Sequence, residues 1–274
     1  MIRFPERRTT DIETRHPMIP IPPTETFNDF LSIVRILRRE CPWDREQTHA
    51  SIAPHLIEEA YEVKESIEEG NDDELKKELG DILLHAVMHA VMAQERGAFD
   101  FDDVVRSVSR KLVDRHPHVF GDRIVMGSEE VSVNWEQQKM KEGRRSLFEG
   151  MPKGMPALQR ADRVQDKASK VGFDWEHPGD ARAKIDEEIG EFDQAVQQGD
   201  QGRVGEELGD LLFSVVNYAR FLKVAPEEAL HGTTSRFIRR FQHIEARLME
   251  QGKGFSDVDL KEMDLYWEEA KKLE

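Results

Sequence analysis

The sequence carries one acidic pattern twice, and this internal repeat constrains the fold more than any other feature. EEAYE and ELGD, which begin at Glu58 and Glu78, return as EEIGE and ELGD, which begin at Glu187 and Glu207. Every position of the second copy follows its counterpart by 129 residues. A constant offset over so many positions indicates an internal duplication, so we expect two similar structural units.

Each copy is expected to form an antiparallel helical hairpin. Residues three or four apart share a helix face, so the acidic residues within each motif point the same way. Gly70 and Gly199, each followed by Asn or Asp, lie midway between the motifs and are helix-stop signals. Folding the chain back there predicts two groups of four carboxylates. They are Glu59, Glu62, Glu78 and Asp81 in the first copy, and Glu188, Glu191, Glu207 and Asp210 in the second.

Such groups are either solvated acidic surface or cation sites. Like charges at helical spacing cost roughly 0.2–0.5 kcal/mol per pair, and mostly apolar stretches follow the clusters at 82–91 and 211–216. The clusters are therefore expected on helices that enter a core, which favours a cation. Oxygen ligands without neighbouring cysteine are typical of Mg²⁺, Mn²⁺ or Ca²⁺. A di-iron bundle would need Glu-x-x-His motifs, which neither cluster has. His85, opposite Ser214, is interpreted as a core histidine or as support for a ligand.

Together with other motifs, the acidic pattern resembles the MazG family of all-α nucleoside triphosphate pyrophosphohydrolases. The resemblance extends from Phe27 to Leu273. The further motifs are CPWDREQTH at 41–49, RHPHVFGD at 115–122, KVGFDW at 170–175, RFIRRF at 236–241 and W-E-x-x-K at 135–139 and 267–271. The resemblance implies two tandem MazG-like helical bundles. It also implies hydrolysis of an NTP or dNTP to the monophosphate and diphosphate, in nucleotide-pool house-cleaning, with Mg²⁺ as cofactor and Mn²⁺ as a substitute.

Basic residues near the second acidic cluster have two interpretations. Lys184 precedes Glu188 by one turn, and Arg203 precedes Glu207 by one turn, so each lies on the face of the cluster. Such neighbours are commonly ion pairs, and Trp is commonly a core residue. The family resemblance implies instead that the matching positions bind the nucleotide: Lys184, Arg203, Glu206, Arg236, Arg240 and Trp267. The resemblance also agrees with our assignment of the two carboxylate groups. The second group is assigned as catalytic residues and metal ligands, and the first group is assigned as metal ligands.

The two copies differ around their carboxylates. At the positions of the Lys, Arg and Glu that flank the second cluster, the first copy has His55, Glu74 and Lys77. The first copy therefore loses or reverses the surrounding charges, and we predict that the second copy is the main hydrolytic site. Three alternatives stay open for the first copy: weaker binding of metal and nucleotide, action on another substrate, or a scaffold role.

Length and composition set further bounds. A chain of 274 residues suits two domains, and its formal net charge of −16 argues against nucleic-acid binding. No stretch is long and apolar enough for a membrane span, and the start, MIRFPERR, lacks the apolar part of a signal peptide. We therefore expect a cytoplasmic protein without a membrane partner. The single cysteine, Cys41, cannot form an internal disulfide, and we give it no redox role.

Helical periodicity without a convincing strand pattern predicts an all-α chain. The predicted organisation is a flexible Pro-rich tail at 1–25, a first domain at 26–141, a linker at 142–156 and a second, main catalytic domain at 157–274. The helices after each cluster are apolar around much of their circumference, which predicts a homodimer. Two other classes of function stay open: a non-catalytic nucleotide-sensing or scaffold protein with this fold, and a carboxylate-bundle metal protein.

Overall fold

The computed structural model describes residues 20, 23–122, 127 and 146–274. Most of the predicted tail at 1–25 lies outside these residues, as do the W-E-x-x-K motif at 135–139 and the predicted boundary at 141–142. The chain divides into two compact units between Asp122 and Arg123. Each unit is described by itself.

The regular elements of the described residues are all helices, which confirms the predicted all-α class. The first unit contains α1 (Phe27–Glu40), α2 (Pro42–Glu46), α3 (His49–Glu69), α4 (Asp72–Glu95), α5 (Phe101–Arg115) and α6 (Pro117–Phe120). The second unit contains α7 (Ala157–Ser169), α8 (Pro178–Gln198), α9 (Gln201–Phe221), α10 (Pro226–Glu250), a 3-10 turn (Phe255–Asp257) and α11 (Leu260–Leu273). In this described part of the chain, no helix is long and apolar enough to cross a membrane.

Each unit is built on one long helical hairpin, and a glycine turn closes both hairpins. Helix α3 ends at Gly70 with φ +66°, and α8 ends at Gly199 with φ +73°. These values lie in the left-handed region that glycine adopts without a steric penalty. The next residue then starts the second helix: the side chain of Asn71 caps α4, and that of Asp200 caps α9. The predicted positions of both chain reversals are therefore confirmed.

The core of the first unit begins beyond the acidic motifs, away from the hairpin turn. Its buried side chains come from α1, α3 and α4: Leu31, Val34, Ile52, Val87, Met88, Val91 and Met92. Burying one such side chain stabilises a fold by roughly 1.5–3 kcal/mol. An ion pair of 2.9 Å between Arg38 and Glu95 also joins α1 to the end of α4. The packed end thus holds α3 and α4 side by side up to the level of the carboxylates.

The second unit has a different set of packed partners around its hairpin. Helix α7 packs on α9, and α10 packs on α11. Between α10 and α11, Ile244, Leu248 and Tyr266 are buried, and Phe241 and Trp267 pack against them. Residues 146–156 form turns and irregular backbone before α7 begins. This packing places α7 and the segment after it beside the acidic end of α9.

Candidate active site

The second hairpin brings three carboxylates together. Carboxylate oxygens of Glu188 on α8 and of Glu207 and Asp210 on α9 all lie within 4.8 Å of one another. Glu188 is buried, and Asp210 is exposed. Glu191, the fourth predicted member, is outside this converging group. Burial and the neighbouring carboxylates of Glu188 and Glu207 nevertheless raise the pKa of Glu191, so it lies within their electrostatic field.

Two cations are paired with this cluster. Lys184 Nζ lies 2.8 Å from Glu187 Oε1 and 2.8 Å from Glu188 Oε1. The hydrogen bonds to these two carboxylates raise the pKa of Lys184. Arg203 Nη2 donates to Glu207 Oε1 at 3.0 Å. Both predicted cations therefore lie at the cluster, in the ion-pair arrangement that is common for Lys and Arg beside Glu on a helix.

Glu206 occupies an exposed position on α9, next to the converging carboxylate of Glu207. No contact of its side chain defines a role. Its proposed part in nucleotide binding therefore rests on the family resemblance.

The first hairpin repeats the carboxylates, but no lysine or arginine of the described residues forms an ion pair with the three that converge. Oxygens of Glu59, Glu78 and Asp81 lie within 4.8 Å of one another. Burial and then the charge of Asp81 raise the pKa of Glu59, whereas burial and then Glu62 raise the pKa of Glu78. Glu62 is therefore close to the group, although it is not one of the three converging residues. Burial is the first cause of both raised pKa values, and the neighbouring carboxylates add to it.

The charged residues beside the first cluster pair elsewhere. His55 Nδ1 lies 2.8 Å from Glu58 Oε2, and Lys77 Nζ lies 2.5 Å from Glu74 Oε1. Neither contact reaches the three converging carboxylates. His85 is also absent from that group of ligand atoms, and burial lowers its pKa. The sequence difference between the two copies thus corresponds to a difference in local charge.

A cavity of about 720 Å³ lies beside the second cluster. Lys184, Glu188 and Asp210 form its charged side. Much of the remaining wall is apolar or aromatic, and its large side chains are Leu147, Phe148, Val164, Val171, Phe173, Trp175 and Phe213. The volume falls in the range of roughly 300–1,000 Å³ that is usual for small-molecule sites. The cavity therefore joins a charged end to an apolar chamber.

An ion pair fixes the KVGFDW segment against α9. Arg220 Nη1 donates to Asp174 Oδ2 at 2.9 Å, and its Nη2 contacts the other oxygen of the same carboxylate. The side chains of Arg220 and Asp174 are only 16% and 25% exposed, so the pair is shielded from solvent. A two-point contact of this kind holds both partners in one geometry. It sets the position of Phe173 and Trp175 in the cavity wall.

Sequence reasoning missed five polar residues of this wall: Gln165, Asp174, Ser214, Asn217 and Arg220. The KVGFDW segment enters the sequence analysis only as a family motif. A signal for three of the five was present, because Ser214, Asn217 and Arg220 interrupt the apolar stretch that follows Asp210. Asn217 follows Asp210 by two helical turns and so shares its face.

Three residues of the predicted nucleotide site lie on other helices. Arg236 and Arg240 are on α10 and Trp267 is on α11, and none of them belongs to the cavity wall that the described residues form. Arg240 Nε donates to Glu274 Oε2 at 3.2 Å, and its guanidinium carbon lies 5.4 Å from the Trp267 ring centre. Arg236 Nη2 donates to Thr233 Oγ1 at 2.8 Å. Their contact with a triphosphate stays a prediction.

The fold and these clusters define a class of protein: all-α units in which a helical hairpin brings carboxylates from two helices to one point. The sequence matches the MazG nucleotide pyrophosphohydrolase domain at residues 47–120 and again at residues 178–245. Each match contains one hairpin and one acidic cluster. The chain therefore belongs to the MazG family, and it carries the domain twice, as the internal repeat predicted.

Two curated relatives match this chain over most of its length. It is 45% identical over 247 residues to the nucleoside triphosphate pyrophosphohydrolase/pyrophosphatase MazG of Thermotoga maritima, covering 89% of this chain and 95% of that protein. It is 42% identical over 253 residues to the nucleoside triphosphate pyrophosphohydrolase of Escherichia coli K12, covering 89% of this chain and 96% of that protein. The similarity thus extends over both units.

Proposed function

We propose that this chain is a Mg²⁺-dependent nucleoside triphosphate pyrophosphohydrolase that converts an NTP or dNTP and water into the monophosphate and diphosphate. The observation that carries the proposal is the convergence of Glu188, Glu207, Asp210 and Lys184 beside a cavity of nucleotide size. Membership of the MazG family and the names of both relatives support the same activity. We further propose that the enzyme is a homodimer, that it is cytoplasmic and that it acts in nucleotide-pool house-cleaning.

The chemistry of the donor set supports Mg²⁺, with Mn²⁺ as a substitute. The converging atoms are all carboxylate oxygens from two helices, and they have no sulfur or imidazole ligand among them. Hard oxygen donors of this kind suit Mg²⁺, which also keeps waters and substrate phosphates as ligands. Glu188, Glu207 and Asp210 would hold the ion, and Glu191, which lies in the electrostatic field of Glu188 and Glu207, is the fourth carboxylate that we propose as a ligand. When bound, Mg²⁺ polarises phosphate oxygens and lowers the pKa of a water molecule.

The cations of the site would exchange partners when substrate binds. Lys184 and Arg203 now neutralise Glu188 and Glu207. Once those carboxylates face a divalent ion, the ammonium and guanidinium groups can turn towards the triphosphate. Positive charge there would stabilise the charge that develops when the bond between the α and β phosphates breaks.

The apolar chamber would receive the nucleoside. Phe173 and Trp175 offer aromatic surfaces on which a base can stack. The Asp174–Arg220 pair attaches the segment that carries these two residues to α9. Burying the base there would orient the triphosphate towards the carboxylates, and positioning of this kind is a large part of catalysis in phosphoryl transfer.

A product assay tests the proposal. Purified protein is incubated with Mg²⁺ and a panel of NTPs and dNTPs, and diphosphate and orthophosphate are measured separately. We expect equal amounts of monophosphate and diphosphate, loss of turnover in EDTA, and recovery with Mg²⁺ or Mn²⁺. Turnover by metal-stripped protein would contradict the mechanism. Nucleotide binding without turnover would support the sensing or scaffold alternative.

A matched pair of variants tests which copy is the main site. Asp210→Asn removes one ligand charge from the second cluster, and Asp81→Asn makes the same change at the equivalent position of the first. We expect the first variant to lose most of the hydrolysis and the second to retain most of it. The reverse result would assign the activity to the first unit.

A further inference from the structure

Asn217 presents a donor group that the described residues leave unused in the wall of the cavity. Its Oδ1 accepts hydrogen bonds from Nε and Nη2 of Arg220 at 3.2 and 2.9 Å. Its Nδ2 donates to none of the residues that the structure describes. Because a guanidinium can only donate, the contact with Arg220 fixes the orientation of the amide, with its NH₂ group as the free end.

Three neighbouring polar side chains of the wall, Gln165, Ser214 and Arg220, already donate to other groups. Gln165 Nε2 donates to a backbone carbonyl of α9 at 2.8 Å, and its Oε1 is enclosed. The Ser214 hydroxyl donates to another carbonyl of α9 at 2.9 Å. Arg220 donates from both Nη atoms to Asp174, and from Nε and Nη2 to Asn217. Asn217 differs from these three neighbours because its NH₂ group has no acceptor among the described residues, so a ligand in this part of the cavity meets that group as a hydrogen-bond donor.

The distance from the acidic cluster indicates which part of a nucleotide reaches this donor. Asn217 follows Asp210 by seven residues on α9, which is two helical turns on the same face, or roughly 10 Å. A sugar and a base span a comparable distance from the phosphates. The group nearest Asn217 is then the substituent at the far end of the base, at position 4 of a pyrimidine or position 6 of a purine.

We infer that Asn217 reads the base of the substrate by donating a hydrogen bond to a carbonyl oxygen at that position. The inference rests on the proposed function. It assigns a preference for keto bases, such as uracil, thymine, guanine and hypoxanthine, over the amino bases cytosine and adenine. An amino group at that position would face the Asn217 NH₂ group, and two donors cannot form a hydrogen bond with each other. Leaving both donors unpaired should lower kcat/KM for the amino base by roughly five- to a hundredfold relative to the keto base.

The ion pair behind Asn217 makes this selection rigid. An isolated asparagine amide can turn over and offer its oxygen to an amino base. Arg220 prevents the rotation by holding the oxygen, and Asp174 holds Arg220 in turn through two contacts. Arg220 is thus a positioning residue for the base, and Asn217 is the residue that contacts it.

The substitution Asn217→Asp tests the inference directly. Aspartate keeps an oxygen for Arg220 and places a second oxygen where the NH₂ group was, so the free end becomes an acceptor. The measured quantities are two ratios of kcat/KM, UTP to CTP and ITP to ATP. The wild type should favour the keto member of each pair. The variant should shift the ratios towards the amino member by roughly five- to a hundredfold.

The ratios of kcat/KM separate base recognition from the other effects of the Asn217→Asp substitution. An added negative charge lowers the turnover of both members of a pair and cancels in their ratio. Asn71→Asp is the matched control, because Asp caps α4 as well as Asn does and should leave both ratios unchanged. Arg220→Gln should bring both ratios closer to one, because it lets the Asn217 amide turn over. A purely structural Arg220 would lower stability and leave the ratios alone.

The possible outcomes are distinct. A shift of about fivefold or more in either ratio towards the amino base supports the inference, and a smaller or opposite change overturns it. If Asn217→Asp does not fold, a comparison of two substrates of the wild type still tests the inference. It should turn over UTP at least about fivefold better than the triphosphate of pyrimidin-2-one riboside, which lacks the oxygen at position 4, and equal turnover overturns the inference. Failure of the proposed function looks different, since no triphosphate would then release diphosphate.

Discussion

At the scale of one residue, Glu191 is a carboxylate that we propose for metal binding and that lowers the stability of the folded protein when no metal is bound. Its side chain is partly buried in the field of Glu188 and Glu207, and the charge of Lys184 offsets only part of these effects on its pKa. Glu191→Gln removes one negative charge from the proposed ligand group. We expect kcat/KM to fall by at least the roughly 10- to 100-fold that loss of a supporting contact costs at a metal site. Glu62→Gln, the same change in the first copy, should cost less.

The same substitution should raise stability when no metal is bound. Because the pKa of Glu191 is raised in the folded protein, the folded state keeps this proton to higher pH than the unfolded chain does. Its contribution to stability is therefore full at low pH and is lost as pH rises above the ordinary value of 4.5. In EDTA, the Tm of Glu191→Gln should match that of the wild type near that pH and exceed it at neutral pH. A variant that melts earlier at neutral pH would contradict the assignment of like-charge repulsion.

Arg240 has two candidate roles that can be separated. The structure pairs it with Glu274, whereas the family resemblance places it at the triphosphate. If it binds phosphate, Arg240→Ala should lower kcat/KM about ten- to a hundredfold, as loss of a hydrogen bond to a charged group does. Arg240→Lys should recover only part, because Lys lacks the planar fork.

Glu274→Gln is the control for the ion pair. It removes the partner and keeps the arginine. If the pair only stabilises the fold, both Arg240→Ala and Glu274→Gln should lower Tm slightly and keep kcat/KM, because partly exposed ion pairs contribute roughly 0–1 kcal/mol. Measuring Tm and kcat/KM on the same samples decides between the two roles.

At the scale of the element, the hairpin turn depends on one backbone conformation. A Cβ at Gly199 would meet no atom within 4 Å, so space is not the constraint there. The φ of +73° is the constraint, and it costs a non-glycine residue roughly 1–2 kcal/mol. Gly199→Ala should therefore lower the free energy of unfolding by about that amount, which chemical denaturation can measure.

Gly205 is the matched control on the next helix. It lies inside α9, a Cβ there also meets no atom within 4 Å, and its φ is not in the left-handed region. Gly205→Ala should stabilise the protein by roughly 0.5–1 kcal/mol, because alanine loses less conformational freedom in a helix. Equal effects of the two substitutions would show that backbone conformation is not what fixes the turn.

At the scale of the whole molecule, both hairpins expose equivalent leucines. Leu79 and Leu83 on α4 are 51% and 38% exposed, and their counterparts Leu208 and Leu212 on α9 are 43% and 47% exposed. Each pair lies one turn apart on one helix face. Apolar faces of this kind mark contact surfaces, so the homodimer stays our prediction.

Leu212→Glu tests this assembly. In a symmetric dimer the substitution acts on both copies, and each loses roughly 1.5–3 kcal/mol of apolar burial. The dissociation constant should therefore rise by at least about a hundredfold, which sedimentation equilibrium can detect. Leu260→Glu, at a leucine that is 78% exposed at the start of α11, should leave assembly unchanged. A wild type that sediments as a monomer would remove the basis for the prediction.

Local periodicity explains what could be derived from the sequence. The repeat follows from the constant offset of 129 residues. The all-α class, the two chain reversals and the group of carboxylates on each hairpin follow from spacings within about 25 residues and from glycine at the turns. Within such a span, helix geometry fixes which side chains face each other. The same reasoning placed Lys184 and Arg203 beside the cluster, where each pairs with a glutamate four residues away.

Only the tertiary structure decided the composition of the cavity and the partner of Arg240. Asp174 and Arg220 are 46 residues apart, and Arg240 and Glu274 are 34 apart. Contacts at that range depend on how α7, α9, α10 and α11 pack, and side-chain periodicity within one helix does not determine how it packs on another. The sequence alone therefore determined where the carboxylates converge, whereas helix packing decided which side chains surround the space beside them.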